Sequence, residues 1–220
     1  MTPSSKRQDR WFTVVTVETR AAPTPAAGLS EADGVEANAR LTSGIAVPLL
    51  LLLAAEGATL PFVHSLLKPH VFLGFALIPL VALKLGSTLY RFGRYYTGAE
   101  SYRRKGPPPT ILRLLGPVVI IATLTLLASG VLLVLAGQSW QNQALFLHKA
   151  SFVLWFGAMT VHVVGHIVET ATLASRDWAP TSTRALPRAA ARRWLLAAGV
   201  AAGGLLGAWS LGHLGVWTHR

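Results

Sequence analysis

The stretch LFLHKASFVLWFGAMTVHVVGHIVE, residues 145–169, decides the fold of this chain. It is apolar enough to cross a membrane, yet it contains His148, His162 and His166. Ionisable side chains inside a membrane are costly and usually mark a functional site. At about 1.5 Å and about 100° per residue, a helix places His162 about 21 Å from His148 and brings His166 back to the azimuth of His148. One face of one span therefore carries an imidazole near each end.

The composition is typical of a membrane protein with several spans. The 220 residues are 52% hydrophobic and 13% charged, and the mean hydropathy is +0.46. The net charge is +11, but nearly all Lys and Arg lie between apolar stretches, as the positive-inside rule predicts, so we expect no nucleic-acid partner. The absence of cysteine excludes disulfides, iron–sulfur ligation by this chain and covalent haem attachment through Cys-x-x-Cys-His.

Five apolar stretches predict an all-α integral membrane protein, because each is about as long as a bilayer requires. They lie at about 44–67, 70–90, 114–136, 145–169 and 194–213. We expect residues 41–170 to form a four-helix bundle and residues 194–220 to form a fifth helix with a short external tail. The fifth stretch is rich in Gly and Ala, which permits close helix packing.

The distribution of basic residues predicts the orientation. The tail 1–40 and the loops 91–113 and 170–193 contain sixteen Lys and Arg, whereas the opposite side has only Lys68, Lys149 and Arg220. By the positive-inside rule, the N-terminus is cytoplasmic and the C-terminus external in the plasma (inner) membrane. We expect residues 1–40 to be a mostly disordered cytoplasmic tail and residues 171–193 to be a basic cytoplasmic loop.

His70 and His148 form the first candidate site. They begin the second and fourth spans, which run parallel, so both imidazoles are predicted at one depth near the outer surface. Alternate helices of a four-helix bundle commonly lie diagonally across its core, and imidazole is a common axial ligand of haem iron. We therefore expect the pair to hold one haem from opposite faces, with Lys68 and Lys149 meeting its propionates. The alternative is that both are boundary histidines wetted by the interface.

Lys84 and His162 form a second level, fourteen residues further along the same two spans. A second haem would need a neutral Lys84 amine as a ligand beside His162. Lys84 could instead pair with Glu56 or bind a propionate. His162 and His166 lie one turn apart and cannot hold one haem from opposite faces, but they could join a metal site with a third ligand or serve as quinone or proton-relay groups. We interpret His64 as an interfacial residue rather than a ligand.

His70, His148 and His162 on parallel spans resemble the pattern of the four-helix membrane cytochromes b, which include anchor subunits of hydrogenases, formate dehydrogenases and ferric-reductase-like proteins. The resemblance covers about residues 44–170 and departs from the family pattern at Lys84, where two-haem members have a histidine. The strings HVFLGFALIPLVALKLGSTLYRFGRYYTG and LHKASFVLWFGAMTVHVVGH, at 70–98 and 147–166, are also similar to small actinobacterial membrane proteins associated with molybdopterin oxidoreductases. The resemblance implies non-covalent haem b, one per chain with a second left open.

The predicted function is electron transfer by a b-type cytochrome, between a quinol or cytoplasmic donor and an external redox partner. The sequence has no visible flavin, nicotinamide or iron–sulfur site. We therefore expect an electron-transfer subunit, embedded in lipid beside a redox partner subunit, rather than a complete enzyme. The alternative function is a haem-free channel, transporter or assembly protein with a polar relay of Glu56, Lys84, His162 and Glu169.

Overall fold

The computed structural model describes residues 25–104, 110–136, 138–176 and 189–214. These residues form helices and turns without any strand. The α-helices are α1 (Pro25–Thr59), α2 (Leu67–Tyr96), α3 (Glu100–Arg104), α4 (Thr110–Leu135), α5 (Gln141–Arg176) and α6 (Ala189–Leu211). All except α3 are long and apolar enough, by length and composition, to cross a membrane. The predicted all-α fold with five candidate spans is confirmed.

The helix boundaries differ from the predicted ones at several places. Residues 25–40, predicted within the disordered tail, belong to α1, and residues 1–24 lie outside the described part of the chain. The first helix ends at Thr59, eight residues before the predicted end at residue 67, and Leu60–Phe62 forms a 3₁₀ turn. In the predicted basic loop, α5 continues to Arg176 and α6 begins at Ala189, while residues 177–188 are not described.

Four of the long helices form a ring. α1 packs against both α2 and α5, and α4 packs against α5 and more lightly against α2. Among the described residues, α2 and α5 share no comparable interface with each other, so they occupy diagonal corners of the ring. This arrangement directs side chains from α2 and α5 toward the same interior. The end of the ring where α1 ends and α2 begins is called the His70 end below, and the opposite end the Lys84 end.

The packing of α6 against α2 is unusually close. Gly199, Gly203 and Gly207 recur at one-turn intervals and are buried. A Cβ atom at Gly207 would lie 2.7 Å from the carbonyl oxygen of Phe72, and one at Gly203 would overlap that of Ala76. Small residues allow such backbone contact between membrane helices. The close packing that the Gly and Ala content permits is thus present, and α6 lies outside the ring against α2.

Apolar side chains fill the ring but also cover its outside. Ile45 and Leu49 of α1 pack with Leu77 and Leu80 of α2 in a buried cluster. Many large apolar side chains point away from the protein instead, including Ile121, Phe146, Val153, Phe156 and Leu205. A surface of this kind is compatible with lipid contact, in line with the predicted lipid-bilayer partner.

Candidate functional site

His70 and His148 meet inside the ring. Their ring centroids lie 6.3 Å apart, and the angle between the two ring planes is 88°. The His70 side chain is 16% exposed, and His148 is partly buried as well. The structure thus brings together two predicted ligands that are separated by 78 positions in the sequence.

Two side chains of α1 hold the ring of His70. Its Nδ1 lies 3.1 Å from Oε1 of Glu56 and 3.0 Å from Oγ1 of Thr59. The Thr59 hydroxyl donates its own proton to the carbonyl oxygen of Glu56 at 2.6 Å. The Thr59 oxygen can therefore only accept from the imidazole, so Nδ1 carries the hydrogen and donates it. In the neutral ring, Nε2 then retains the lone pair that a metal requires.

Helix α4 holds the ring of His148 in a similar way. Its Nδ1 lies 3.1 Å from the carbonyl oxygen of Leu126 and 3.2 Å from Oγ of Ser129. The Ser129 hydroxyl donates to the same carbonyl at 2.9 Å. Because a carbonyl oxygen only accepts, Nδ1 of His148 also carries the hydrogen. Gly130 leaves room for this ring, since a Cβ atom there would lie 3.2 Å from Cε1 of His148.

The donor set fits a haem iron. Two imidazoles bound to one metal at about 2 Å each have ring centroids about 6 Å apart, close to the observed 6.3 Å. Within the described residues, no group of three or more His, Asp or Glu side chains could hold a metal ion. If a haem binds here, its porphyrin would supply the other iron ligands, and His70 and His148 would be sufficient to hold the group.

The other candidate residues of the His70 end lie at its surface. Lys68 and Lys149 are exposed neighbours of His70 and His148 in the sequence, and their contact with haem propionates stays a prediction. His64 is exposed in the turn between α1 and α2, a position that fits an interfacial residue.

Lys84, His162 and His166 form a second polar group at the Lys84 end. Nζ of Lys84 donates a hydrogen bond of 2.8 Å to the carbonyl oxygen of Thr42. The ring centroids of His162 and His166 are 4.8 Å apart, and Nδ1 of His162 is buried with no hydrogen-bond partner in the part of the chain that the structure describes. Lys84 and His166 both lie near enough to His162 to act on it electrostatically. A second haem ligated by Lys84 and His162 stays a prediction.

The alternative in which Lys84 pairs with Glu56 is wrong. Glu56 contacts His70, whereas Lys84 contacts Thr42, which lies fourteen residues and about 21 Å away from Glu56 along α1. The error arose from the predicted end of the first span, which placed Glu56 near its middle. In the structure, Glu56 lies in the last turn of α1, at the depth of His70.

The sequence interpretation missed Thr59, Ser129 and the carbonyl of Leu126. One signal for Thr59 was Pro61, because the residue before a proline disfavours helical geometry and thus favours a helix end near 59. A signal for Ser129 was the adjacent Gly130, since small and polar residues within an apolar span usually face another helix.

Comparison of this chain with models of known protein families, with curated proteins and with solved structures found no match. The chemistry of the two polar sites is therefore the guide to function.

Proposed function

We propose that this protein is a b-type cytochrome that transfers electrons within or across a membrane. The pairing of His70 and His148 carries the proposal: the ring centroids are 6.3 Å apart, and each Nδ1 has hydrogen-bond acceptors within 3.2 Å. Non-covalent haem b, held by the two Nε2 atoms, would supply a one-electron couple.

The surrounding residues favour electron transfer over catalysis at the metal. Glu56 and Thr59 orient His70, while Leu126 and Ser129 orient His148, and such hydrogen bonds fix both the tautomer and the ring direction. His70 and His148 would together hold the haem, and the group would then supply one-electron chemistry rather than binding of oxygen or a substrate. Ligands on the two diagonal helices also hold the site on rigid elements, which limits rearrangement when the charge changes.

The proposed partners follow from the orientation that the basic loops indicate. In the plasma membrane with a cytoplasmic N-terminus, the His70 end faces outward, where an external redox partner would exchange electrons with the haem. The Lys84 end then faces the cytoplasm, where His162 and His166 are candidates for a quinone site. In this proposal the protein is an electron-transfer subunit of an oxidoreductase.

A polar chain at the Lys84 end favours a second candidate, a haem-free channel, transporter or assembly protein. The hydroxyls of Thr42 and Ser87 are 2.8 Å apart, and Nδ2 of Asn38 donates to the carbonyl of Ser87 at 3.2 Å. Together with Lys84 and His162, these groups form a polar relay in an apolar environment. Glu56, predicted as a member of this relay, lies at the other end instead. The side chain of Glu169, another predicted member, lies outside the described residues.

Single substitutions of the two histidines separate these candidates. His70→Ala and His148→Ala should each abolish the reduced-minus-oxidised alpha band of the purified protein while leaving membrane insertion intact. His64→Ala and His213→Ala are matched controls, because both residues are exposed and close to the ends of α1 and α6. Both controls should retain the band. A folded wild-type protein that is colourless after expression in haem-replete cells would favour the second candidate.

A further inference from the structure

We infer that Glu56 is a positioning residue that lowers the midpoint potential of the haem by acting through His70. The inference rests on the proposed function and adds what sets the potential of the site. It follows from a difference between the hydrogen-bond acceptors of the two imidazoles.

Nδ1 of each histidine faces two hydrogen-bond acceptors, but one of the two acceptors differs in kind between His70 and His148. Nδ1 of His148 faces a peptide carbonyl and the Ser129 hydroxyl, which are both neutral acceptors. Nδ1 of His70 faces the Thr59 hydroxyl and a carboxyl oxygen of Glu56 at 3.1 Å. A carboxylate forms a hydrogen bond about twice as strong as a neutral acceptor does. When the Glu56 side chain is ionised, the proton of His70 is therefore held more strongly toward its acceptor than the proton of His148.

His70 is the contact that the structure gives for the carboxyl group of Glu56. Its backbone carbonyl accepts from Thr59, while Oε1 contacts the imidazole. Oε2 is buried without a hydrogen-bond partner among the described residues, and the side chain is 17% exposed. Low exposure strengthens the remaining hydrogen bond, because water competes for it less. Helix α2 also approaches closely at Gly74, where a Cβ atom would lie 3.5 Å from Oε1.

This hydrogen bond acts on the iron through the ring. A stronger acceptor at Nδ1 makes the ligating Nε2 more basic, which is the usual effect of a carboxylate behind a metal-bound histidine. A more basic ligand stabilises ferric over ferrous iron and thereby lowers the midpoint potential. Glu56 would make the haem a stronger reductant than two neutral acceptors alone allow, which favours electron delivery to acceptors of low potential.

The test is the midpoint potential of the purified haem protein, measured by spectroscopic redox titration at one alkaline pH, at which Glu56 is ionised. Glu56→Gln keeps an oxygen acceptor but makes it neutral, and Glu56→Leu removes it. We expect Glu56→Gln to raise the ferrous-to-ferric ratio at a fixed applied potential about tenfold. This change is equivalent to an upward shift of the midpoint potential by about 59 mV for one electron. Glu56→Leu should produce a larger upward shift. Ser129→Ala should have a smaller effect, since the Leu126 carbonyl still accepts from His148.

Glu100→Gln is the matched control for loss of a carboxylate, because Glu100 is exposed and pairs with Arg104 away from the site. It should leave the potential unchanged. Equal potentials in wild type and Glu56→Gln would overturn the inference while the haem assignment stands. If Glu56→Gln loses haem, Glu56→Leu decides: an upward shift supports the inference and an unchanged potential overturns it. A wild-type protein without haem would refute the proposed function and this inference with it.

Discussion

The contact between α6 and α2 offers a sharp test of the fold, through Gly203→Ala. A Cβ atom at position 203 would overlap the carbonyl oxygen of Ala76, and the atoms around it are backbone, which cannot rotate away. A Cβ atom at Gly204, the next residue on α6, would meet no atom of another described helix within 4 Å. Gly204→Ala is therefore a matched control with the same chemical change on the same helix.

The magnitude follows from the geometry. Ordinary van der Waals contact begins near 3.4 Å, whereas the comparable Cβ atom at Gly207 would lie only 2.7 Å from a carbonyl oxygen, so α6 must retreat by about 0.7 Å or more. Overpacking of this kind costs about 1–3 kcal/mol. The higher helix propensity of Ala, worth up to about 1 kcal/mol, acts equally in both variants. Gly203→Ala should thus be about 1–3 kcal/mol less stable than Gly204→Ala.

The assay is reversible unfolding of the purified protein in mixed micelles, followed by circular dichroism. The comparison between the two variants isolates the steric term, because composition and helix propensity are the same. If Gly203→Ala unfolds at the same denaturant concentration as Gly204→Ala, the close packing of α6 on α2 is refuted.

The remaining predictions concern topology, Lys84 and the core. A reporter fused after Arg220 should be external and one inserted at Gly106 cytoplasmic; finding both on one side would refute the predicted orientation. Lys84→Ala should retain the haem at His70 and His148, because fourteen residues of α2 separate it from His70 by about 21 Å. The loss of one haem per chain in a count of purified protein would assign a second haem to Lys84. Nε1 of Trp155 donates to Oγ1 of Thr123 at 3.0 Å, so Trp155→Phe and Thr123→Val should each lower the free energy of unfolding by about 1 kcal/mol, with coupling of about 0.6 kcal/mol. A double-mutant cycle without coupling would contradict this hydrogen bond.

The sequence was sufficient to predict that His70 and His148 meet. Depth in a membrane helix depends on the distance from the helix end, and both residues lie near the start of parallel spans. Their diagonal placement agrees with the usual order of a four-helix bundle. The depth of the two histidines depends on the lengths of the spans, which the apolar pattern indicates. Their diagonal placement depends on the lengths of the connections, which the short turns indicate.

The partners of the two histidines could not be predicted in the same way. A helix end misplaced by eight residues changes depth by about 12 Å, which is enough to assign Glu56 to Lys84 instead of His70. The contact between His148 and Ser129 depends on the rotation of α4 about its axis. A span that is apolar on all sides gives no hydrophobic face from which to predict that rotation. Helix depth was therefore predictable, whereas the hydrogen bonds at each Nδ1 required the structure.

The central claim is that His70 and His148 together ligate one haem iron, and electron paramagnetic resonance of the oxidised protein tests it most directly. Two imidazole planes close to perpendicular, as the observed 88° indicates, leave the two iron orbitals of π symmetry nearly equal in energy. We predict a low-spin ferric signal dominated by one large g value, which is lost in His148→Ala. A high-spin ferric signal in the wild type, or a low-spin signal that survives in His148→Ala, would contradict the account.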